Sequence, residues 1–566
     1  MTTPFAAAVQ SVRSGRQDIE QASTTLVTQL TDHELLWLLD GDVPALRGGL
    51  TAAWRLNSAP FQAGRIDRLG IPGIRFTDGP RGVVLNSSTA FPVAIARAAS
   101  WDPDLERTIG DAIGKEARAQ GANLFAGVCV NLAYSPGWGR AQESYGEDPI
   151  LLGAMGAALV DGVNPWVMSC VKHYALNSME DARFILDVHV DEAVLREVFL
   201  PHFRTVIEAG CDAVMTAYNS VNGEWAGENR HLLTEILRQD WGFKGFVMTD
   251  FVWGLRHPVE SVAAGQDLEM PFRQQRAATL SAALRCGRLA CAEAQAAAGR
   301  ILASQLRLAL RARPAPPPDV VACAAHRDLA RHVARCGTVL LRNEPVAGAA
   351  VLPLRADTVK NLAVLGPLAD QPNLGDHGSS RVHPPTTVSI LQGLRERLAL
   401  NVIHGTTADS HAAAEIARMA DAAVLVVGMA PADEGESIYA TDTASLQLLG
   451  GIFARRPLAV LLGKVLKGLS RLGKGGDRRD LRLHARDTKL VNAVTAANAR
   501  TIVVVIAGGT VVVDPWDADV PALLLAWYPG MEGGRAIAEV LLGEAEPGGR
   551  LPVTIPRRAV DLPVVD

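Results

Sequence analysis

Three apolar runs in succession, each closing on polar residues and each separated from the next by a helical pattern, restrict what this chain can fold into more than any other feature. Val167-Met168-Ser169-Cys170-Val171-Lys172 reads as a strand, and Val194, Leu195, Val198, Phe199, Phe203, Val206 and Ile207 then recur at helical spacing as far as Gly210. Pro201 is expected to kink that helix. Asp212 to Tyr218 is the next strand, Leu232, Leu233, Ile236 and Leu237 mark the next amphipathic helix, and Gly245-Phe246-Val247-Met248-Thr249-Asp250-Phe251 is a third buried strand that ends on a carboxylate. Such alternation between about residues 60 and 310 is the signature of βα units around a parallel sheet. In a β/α barrel the polar tips Lys172 and His173, Tyr218 and Asn219, and Asp250 converge on one face. A doubly wound open sheet is the alternative.

At 566 residues the chain exceeds one ordinary core, so two domains of about 200 to 300 residues are expected. Arg313-Pro314-Ala315-Pro316-Pro317-Pro318-Asp319 is a stiff linker between residues 1–312, the barrel, and residues 320–566. Beyond it, Leu362 to Gly366, Ala423 to Gly428, Ile502 to Ile506 and Leu523 to Trp527 read as buried strands with helices between them, an α/β sandwich.

A formal charge of -5 gives no global field for nucleic acid or an anionic membrane, so a neutral small-molecule partner is expected. The seven cysteines lack CxxC spacing and mostly lie in apolar runs, which reads as reduced, packed thiols. The N-terminus lacks a basic region followed by a long apolar one, and no 18-residue uncharged apolar span occurs elsewhere, so a cytoplasmic location is the default expectation.

From Ser437 to Gly475, Arg455, Arg456, Lys464, Lys467, Arg471 and Lys474 face a single acid, Asp442. On a helical wheel Leu458, Leu461, Leu462, Val465, Leu466, Leu469 and Leu472 fall opposite Lys464, Lys467 and Arg471, which describes a cationic amphipathic helix.

Lys172, His173, Asn219 and Asp250, with Asp78 in the loop Thr77-Asp78-Gly79-Pro80-Arg81-Gly82, suit a polyhydroxylated substrate. Carboxylates accept from sugar hydroxyls while Lys, Arg and His donate to them, each charged hydrogen bond contributing about 1.5 to 3 kcal/mol. Neither GxxxxGK[ST] nor a strand-linked GxGxxG nor HExxH occurs, so no metal or other cofactor is expected.

Several blocks in shared order resemble glycoside hydrolase family 3, the two-domain enzymes typified by β-glucosidases: Thr77-Asp78-Gly79-Pro80, Gly139-Arg140-Ala141-Gln142-Glu143 with Gly146-Glu147-Asp148-Pro149, Val171-Lys172-His173-Tyr174, Met215-Thr216-Ala217-Tyr218-Asn219, and Val247-Met248-Thr249-Asp250. The resemblance runs from about residue 60 to 555 and implies a (β/α)8-type barrel followed by an α/β sandwich. It also implies a retaining, exo-acting β-glycosidase that cleaves β-glucosides or β-xylosides, or α-L-arabinofuranosides. Asp250 becomes the nucleophile; Asp78, Arg140, Lys172, His173 and Arg183 hold the sugar hydroxyls; Met215 and Tyr218 line the same pocket. The family's acid/base glutamate stands in a Gly-Glu-Gly-like loop shortly before Gly-Asp-Arg. Here Asp433-Glu434-Gly435-Glu436 precedes Gly476-Asp477-Arg478, which selects Glu434 with Glu436 in reserve. Gly378-Ser379-Ser380 resembles a loop that offers Ser379 to the sugar.

The sequence departs from the pattern in three places. Phe251 stands where a tryptophan usually follows the nucleophile, and Trp253 is a candidate substitute. The cationic segment 437–475 is inserted directly after the acid/base loop, and a fibronectin-like third domain is not expected after Leu551-Pro552. The Lys-His-Phe-Pro-Gly-His-Gly loop of the N-acetylglucosaminidase branch is replaced by Lys172-His173-Tyr174-Ala175-Leu176-Asn177. The insertion is expected to lie over the aglycone side of the pocket, its rivals being surface contact of 455–474 with anionic lipid and packing against a partner subunit. A sugar-binding protein that has lost catalysis, or a phosphorylase on this scaffold, is the alternative function.

Overall fold

The computed structural model describes residues 2–45, 47–49, 57–355, 357–397, 401–405, 409–438, 440–449, 455–473 and 475–562. The strands Phe61–Ala63, Ile74–Thr77, Leu124–Cys129, Met168–Tyr174, Ala213–Thr216 and Phe246–Met248 lie side by side in chain order. All but the first pair are parallel; Phe61–Ala63 runs antiparallel to Ile74–Thr77. A parallel bridge from Met248 to Leu268 continues the curl beyond the sixth strand. The sheet is therefore barrel-like, with its opening hairpin a departure from the all-parallel pattern of a (β/α)8 barrel.

The buried runs are what made this sheet legible. Met168–Tyr174 and Leu124–Cys129 are buried at every position, because helices such as Pro103–Ala119 and Pro149–Val163 cover the outside while side chains fill the inside. The expected strand ends run longer than the observed ladder, since Asp250 lies two residues past Met248 in the loop that follows. The helix after the fourth strand is interrupted as expected. A wider turn at Leu195–Phe199 ends at Leu200, and Pro201, which has no N–H to donate, opens the helix Pro201–Glu208.

The helices Cys291–Arg311 and Ala324–Gly337 flank the proline-rich stretch, and a second sheet follows. Its strands are ordered Val339–Asn343, Ala522–Leu525, Thr501–Ile506, Ala422–Gly428, Asn361–Leu365 and Asn401–Gly405, parallel except for the first, an antiparallel edge. Ser410–Arg418 packs with Ala485–Ala497, and Ile390–Arg397 with Gly533–Leu541, as expected of an α/β sandwich.

Of the seven cysteines, Cys129, Cys170 and Cys211 are buried thiols. Cys286 and Cys291 are exposed, which corrects the packed reading for them: both sit where helices meet solvent at the turn Gly287 to Ala290. Among the described residues no helix is long and apolar enough to cross a membrane.

Candidate active site

The loops after the barrel strands carry a set of ionisable side chains that are almost wholly buried. Asp250 is 8 % exposed; its Oδ1 accepts from the Phe251 N–H at 2.7 Å, and its Oδ2 has no hydrogen-bond partner and lies 3.7 Å from His173 Nε2. Burial raises its carboxyl above the ordinary value, an effect that Arg183, Arg140 and Lys172 counter.

His173 is fixed by Asn131. The Asn131 amide nitrogen donates to the His173 carbonyl at 2.8 Å, which turns its oxygen toward the His173 backbone N–H at 2.8 Å and Nδ1 at 3.1 Å. That network assigns the proton to Nδ1 and leaves Nε2 an acceptor facing Asp250. Burial, and then Arg140, Lys172 and Arg183, hold the ring neutral. Lys172 forms an ion pair with Asp78, whose Oδ1 also accepts from the Gly79 N–H at 2.8 Å. Burial pushes the Asp78 carboxyl up and Lys172 pulls it back.

Two arginines complete the ring. Arg140 is gripped by Glu143 through Nε at 3.0 Å and Nη2 at 2.8 Å, while its Nη1 is left without a hydrogen bond and lies 3.7 Å from Glu436. Arg183 stacks on Tyr218, its guanidinium carbon 4.8 Å from the ring centroid, and pairs with Glu180 at 3.2 Å. The Tyr218 hydroxyl donates to the Phe251 carbonyl at 2.8 Å, tying this stack to the loop of Asp250.

The second domain contributes Glu436. Its Oε1 accepts from Arg183 Nη2 at 3.0 Å and its Oε2 from the Ser379 N–H at 2.6 Å, which brings Ser379 to the site as well. Burial alone would raise this carboxyl, but Arg140, Arg183 and Ser379 outweigh it and hold it well below the usual carboxylate range.

Glu434 faces elsewhere, and here the geometry corrects the reading of the sequence. It is buried inside the sandwich, with Oε1 accepting from the Gly508 N–H and from the Tyr528 hydroxyl at 2.8 Å, and Oε2 paired with Arg478 at 3.0 Å. The cause lies between the two acids. Gly435 adopts φ +146°, and a Cβ there would stand 2.6 Å from that of Asp376. This turn sends Glu434 into its own domain and Glu436 toward the barrel. Asp376 then anchors the loop by accepting from the Glu436 N–H at 3.0 Å while pairing with Arg81 at 3.2 Å.

Met215 is also corrected. It packs in the barrel interior with Met248 and Cys170, the ordinary place for a strand methionine. Asn219 spends its amide on the carbonyls of Ala175 and Ser220. Phe251 points into the barrel, 5.3 Å from Phe61 and 4.7 Å from Phe76, whereas Trp253 stands beside Phe184 and Tyr218. Sequence reasoning missed the residues that hold this set in place: Asn131, Glu143, Glu180 and Asp376. Glu143 lies inside a recognised block and was within reach; the others carry no local signal.

Comparison with known proteins agrees with the geometry. Residues 52–304 match the glycosyl hydrolase family 3 N-terminal domain, and residues 338–566 match the corresponding C-terminal domain. A β-glucosidase from Rhizobium radiobacter is 31% identical over 88% of this chain and 75% of its own length. An exo-α-(1->6)-L-arabinopyranosidase from Bifidobacterium breve is 31% identical over 89% of this chain, which spans only 64% of that relative. Among solved structures, β-glucosidase 3B from Thermotoga neapolitana in complex with α-D-glucose superposes with a TM-score of 0.79 at 28% identity, covering 96% of this chain and 76% of that one.

Proposed function

Because the chain belongs to glycoside hydrolase family 3, we propose that it is an exo-acting, retaining β-glycosidase in which Asp250 is the nucleophile and Glu436 the acid/base. The observation that carries this reading is the pairing across domains: Asp250, buried with one unengaged oxygen, and Glu436 share Arg140 and Arg183 as neighbours.

In the first step an Asp250 oxygen attacks the anomeric carbon while the bond from that carbon to the leaving oxygen breaks, and Glu436 gives its proton to that oxygen. In the second, ionised Glu436 takes a proton from water, whose oxygen displaces Asp250 and restores both carboxyl groups to their starting states. The two arginines favour the ionised form, which suits the second step. For the first, Glu436 must gain its proton as the sugar arrives and engages Arg140 and Arg183.

Exo action fits binding of one terminal sugar residue. Asp78 accepts from hydroxyls of one terminal residue, while Lys172 and Arg140 Nη1 donate to them and the neutral His173 Nε2 accepts, four groups on adjoining barrel loops that engage one sugar. Glucosyl and xylosyl residues are the proposed substrates, in keeping with the β-glucosidases among the relatives. A cytoplasmic location remains part of the proposal.

The test is an initial-rate panel of aryl β- and α-glycosides of glucose, xylose, galactose, arabinose and N-acetylglucosamine. Replacing Asp250 by Asn should cost at least about a thousandfold in kcat with the fold intact, measured by circular dichroism. Wild-type rates in that variant would overturn the assignment.

A further inference from the structure

Two features lie outside the active-site set. The inserted helix Arg456–Gly473 is docked on the segment before it: a Cβ at Gly463 would lie 2.7 Å from the Thr441 carbonyl and 3.2 Å from Leu446, while Leu461 and Val465 face solvent. Its amphipathic pattern is thus oriented differently from the helical wheel, with Ala459 and Gly463 as buried contacts; the side chains of Leu469, Arg471 and Leu472, and Lys474 altogether, lie outside the described residues. The other feature is a cavity of about 190 Å³ at the end of the barrel away from the active site. Arg75 reaches it from the start of strand Ile74–Thr77, whose far end leads to Asp78, and Asn123 from just before Leu124–Cys129. Arg118, near the end of Pro103–Ala119, and Gln305, in Cys291–Arg311, complete its polar lining.

Asn123 spends its amide on backbone, accepting from the Arg75 N–H at 2.6 Å and donating to the Gly73 carbonyl at 2.8 Å. The other three polar residues are unmatched. Arg75 Nε, Arg118 Nε and both Nε2 and Oε1 of Gln305 are buried atoms without a hydrogen bond, and among the described residues neither guanidinium is ion-paired. Gln305 is only 2 % exposed, so solvent does not serve its amide. No carboxylate of a described residue lines the cavity. Elsewhere in the barrel buried arginines are matched: Glu106 pairs with Arg97 at 2.9 Å, and Arg276 donates to the carbonyls of Leu39, Asp267 and Gln266.

Two guanidiniums on one cavity repel each other. Burial, and then Arg118 and Arg65, weaken the hold of Arg75 on its proton, while Arg65 is itself answered by Asp67 at 2.8 Å in solvent. Both Arg75 and Arg118 stay charged at neutral pH, because a guanidinium does not release its proton in a protein. The set therefore lacks negative charge and, at Gln305, one acceptor and one donor. Phe5 and Leu308 supply only apolar surface to the same wall.

We propose that this cavity binds hydrogen phosphate and so ties strand Ile74–Thr77 to the helices Pro103–Ala119 and Cys291–Arg311 at the base of the barrel. The ion's oxygens accept from the two arginines and from Gln305 Nε2, and its O–H donates to Gln305 Oε1. Sulfate has the same shape but no proton to give. The volume lies below the roughly 300 Å³ at which pockets begin to enclose drug-sized ligands, so the free ion fits better than an ester of it. Because the cavity and Asp78 lie at opposite ends of Ile74–Thr77, the ion acts on stability and takes no part in turnover, unlike the phosphate that a phosphorylase consumes.

Equilibrium dialysis of the full chain against labelled inorganic phosphate measures binding, and thermal unfolding measures its effect, with sodium chloride at matched ionic strength as the reference. The wild type should take up about one phosphate per chain, with a melting temperature that rises to a plateau. Arg118→Gln and Gln305→Leu should each weaken binding by at least about tenfold. Without phosphate both variants should melt no lower than the wild type, since one removes a repelling charge and the other an unmatched amide; this separates loss of the site from loss of the fold. Phosphate also strengthens burial in any protein, but that rise reaches no plateau and persists in the variants. Absence of saturable binding, undiminished binding in both variants, or sulfate or glycerol phosphate binding as tightly as phosphate would overturn the proposal. So would a kcat that depends on phosphate, which would make the ion a co-substrate.

Discussion

At the scale of single residues, two glutamates one glycine apart take separate roles, and each can be read by a different measurement. Glu434 offsets the buried charge of Arg478, so Glu434→Gln should lower stability by about 3 to 5 kcal/mol in denaturant titration, because a lone buried guanidinium remains. Glu436→Gln also removes a buried carboxylate, from beside Arg140 and Arg183, so it is told apart by activity: it should lose far more on poor leaving groups than on good ones, whereas Glu434→Gln should lose both alike. Exchange of those two patterns would restore Glu434 as the acid. A separate pair of carboxyls reports on pH. Asp40 is raised by burial and by nearby Glu269, so in the folded state it holds its proton at pH values where the unfolded chain has released it. Its contribution is favourable below the unfolded value near 3.8 and is lost as pH rises through the folded value. Asp40→Asn, neutral throughout, should therefore gain stability relative to wild type as pH rises from 4 to 8; a constant difference in denaturation midpoint would contradict this.

At the scale of elements, the active site depends on loops that touch through glycine. Gly435 and Gly476 bridge one another, and Gly139 lies beneath them, where a Cβ would stand 2.2 Å from the Gly476 carbonyl and 2.5 Å from that of Gly435. These are backbone atoms and have no rotamer to change. Gly139→Ala should therefore push the Glu436 loop away and cost at least about tenfold in kcat, with a smaller change in KM because the barrel still supplies most sugar contacts. The same element-level view explains why Phe251 does not replace a tryptophan at the pocket: one residue past Asp250 the side chain enters the barrel, and three residues past it Trp253 faces outward among Phe184 and Tyr218.

At the scale of the whole molecule, catalysis needs two domains to meet, and Asp477 is the clearest fastening between them. Its carboxylate accepts from the backbone N–H groups of Gly139 at 3.0 Å, Glu180 at 2.8 Å and Asp181 at 3.0 Å, all in the barrel. Asp477→Ala should leave these donors unpaired and reduce activity by at least about tenfold, while splitting thermal unfolding into two transitions seen by calorimetry. The sequence by itself determined the two sheets and the barrel tips, because strands covered on both faces must be apolar along their length and polar where they end. It therefore placed Asp250, Lys172, His173 and Asp78 on one face and supplied the ordered motifs around them. It selected Glu434 over Glu436, where the structure turns Glu436 to the site, since that choice depends on one glycine φ and on an arginine more than forty residues away. Nor could it show that Met215 faces inward or that Trp253 stands by the pocket. Periodicity reports which face of an element is buried, whereas the partner a side chain meets is set by loops and domains that the chain brings together only when folded.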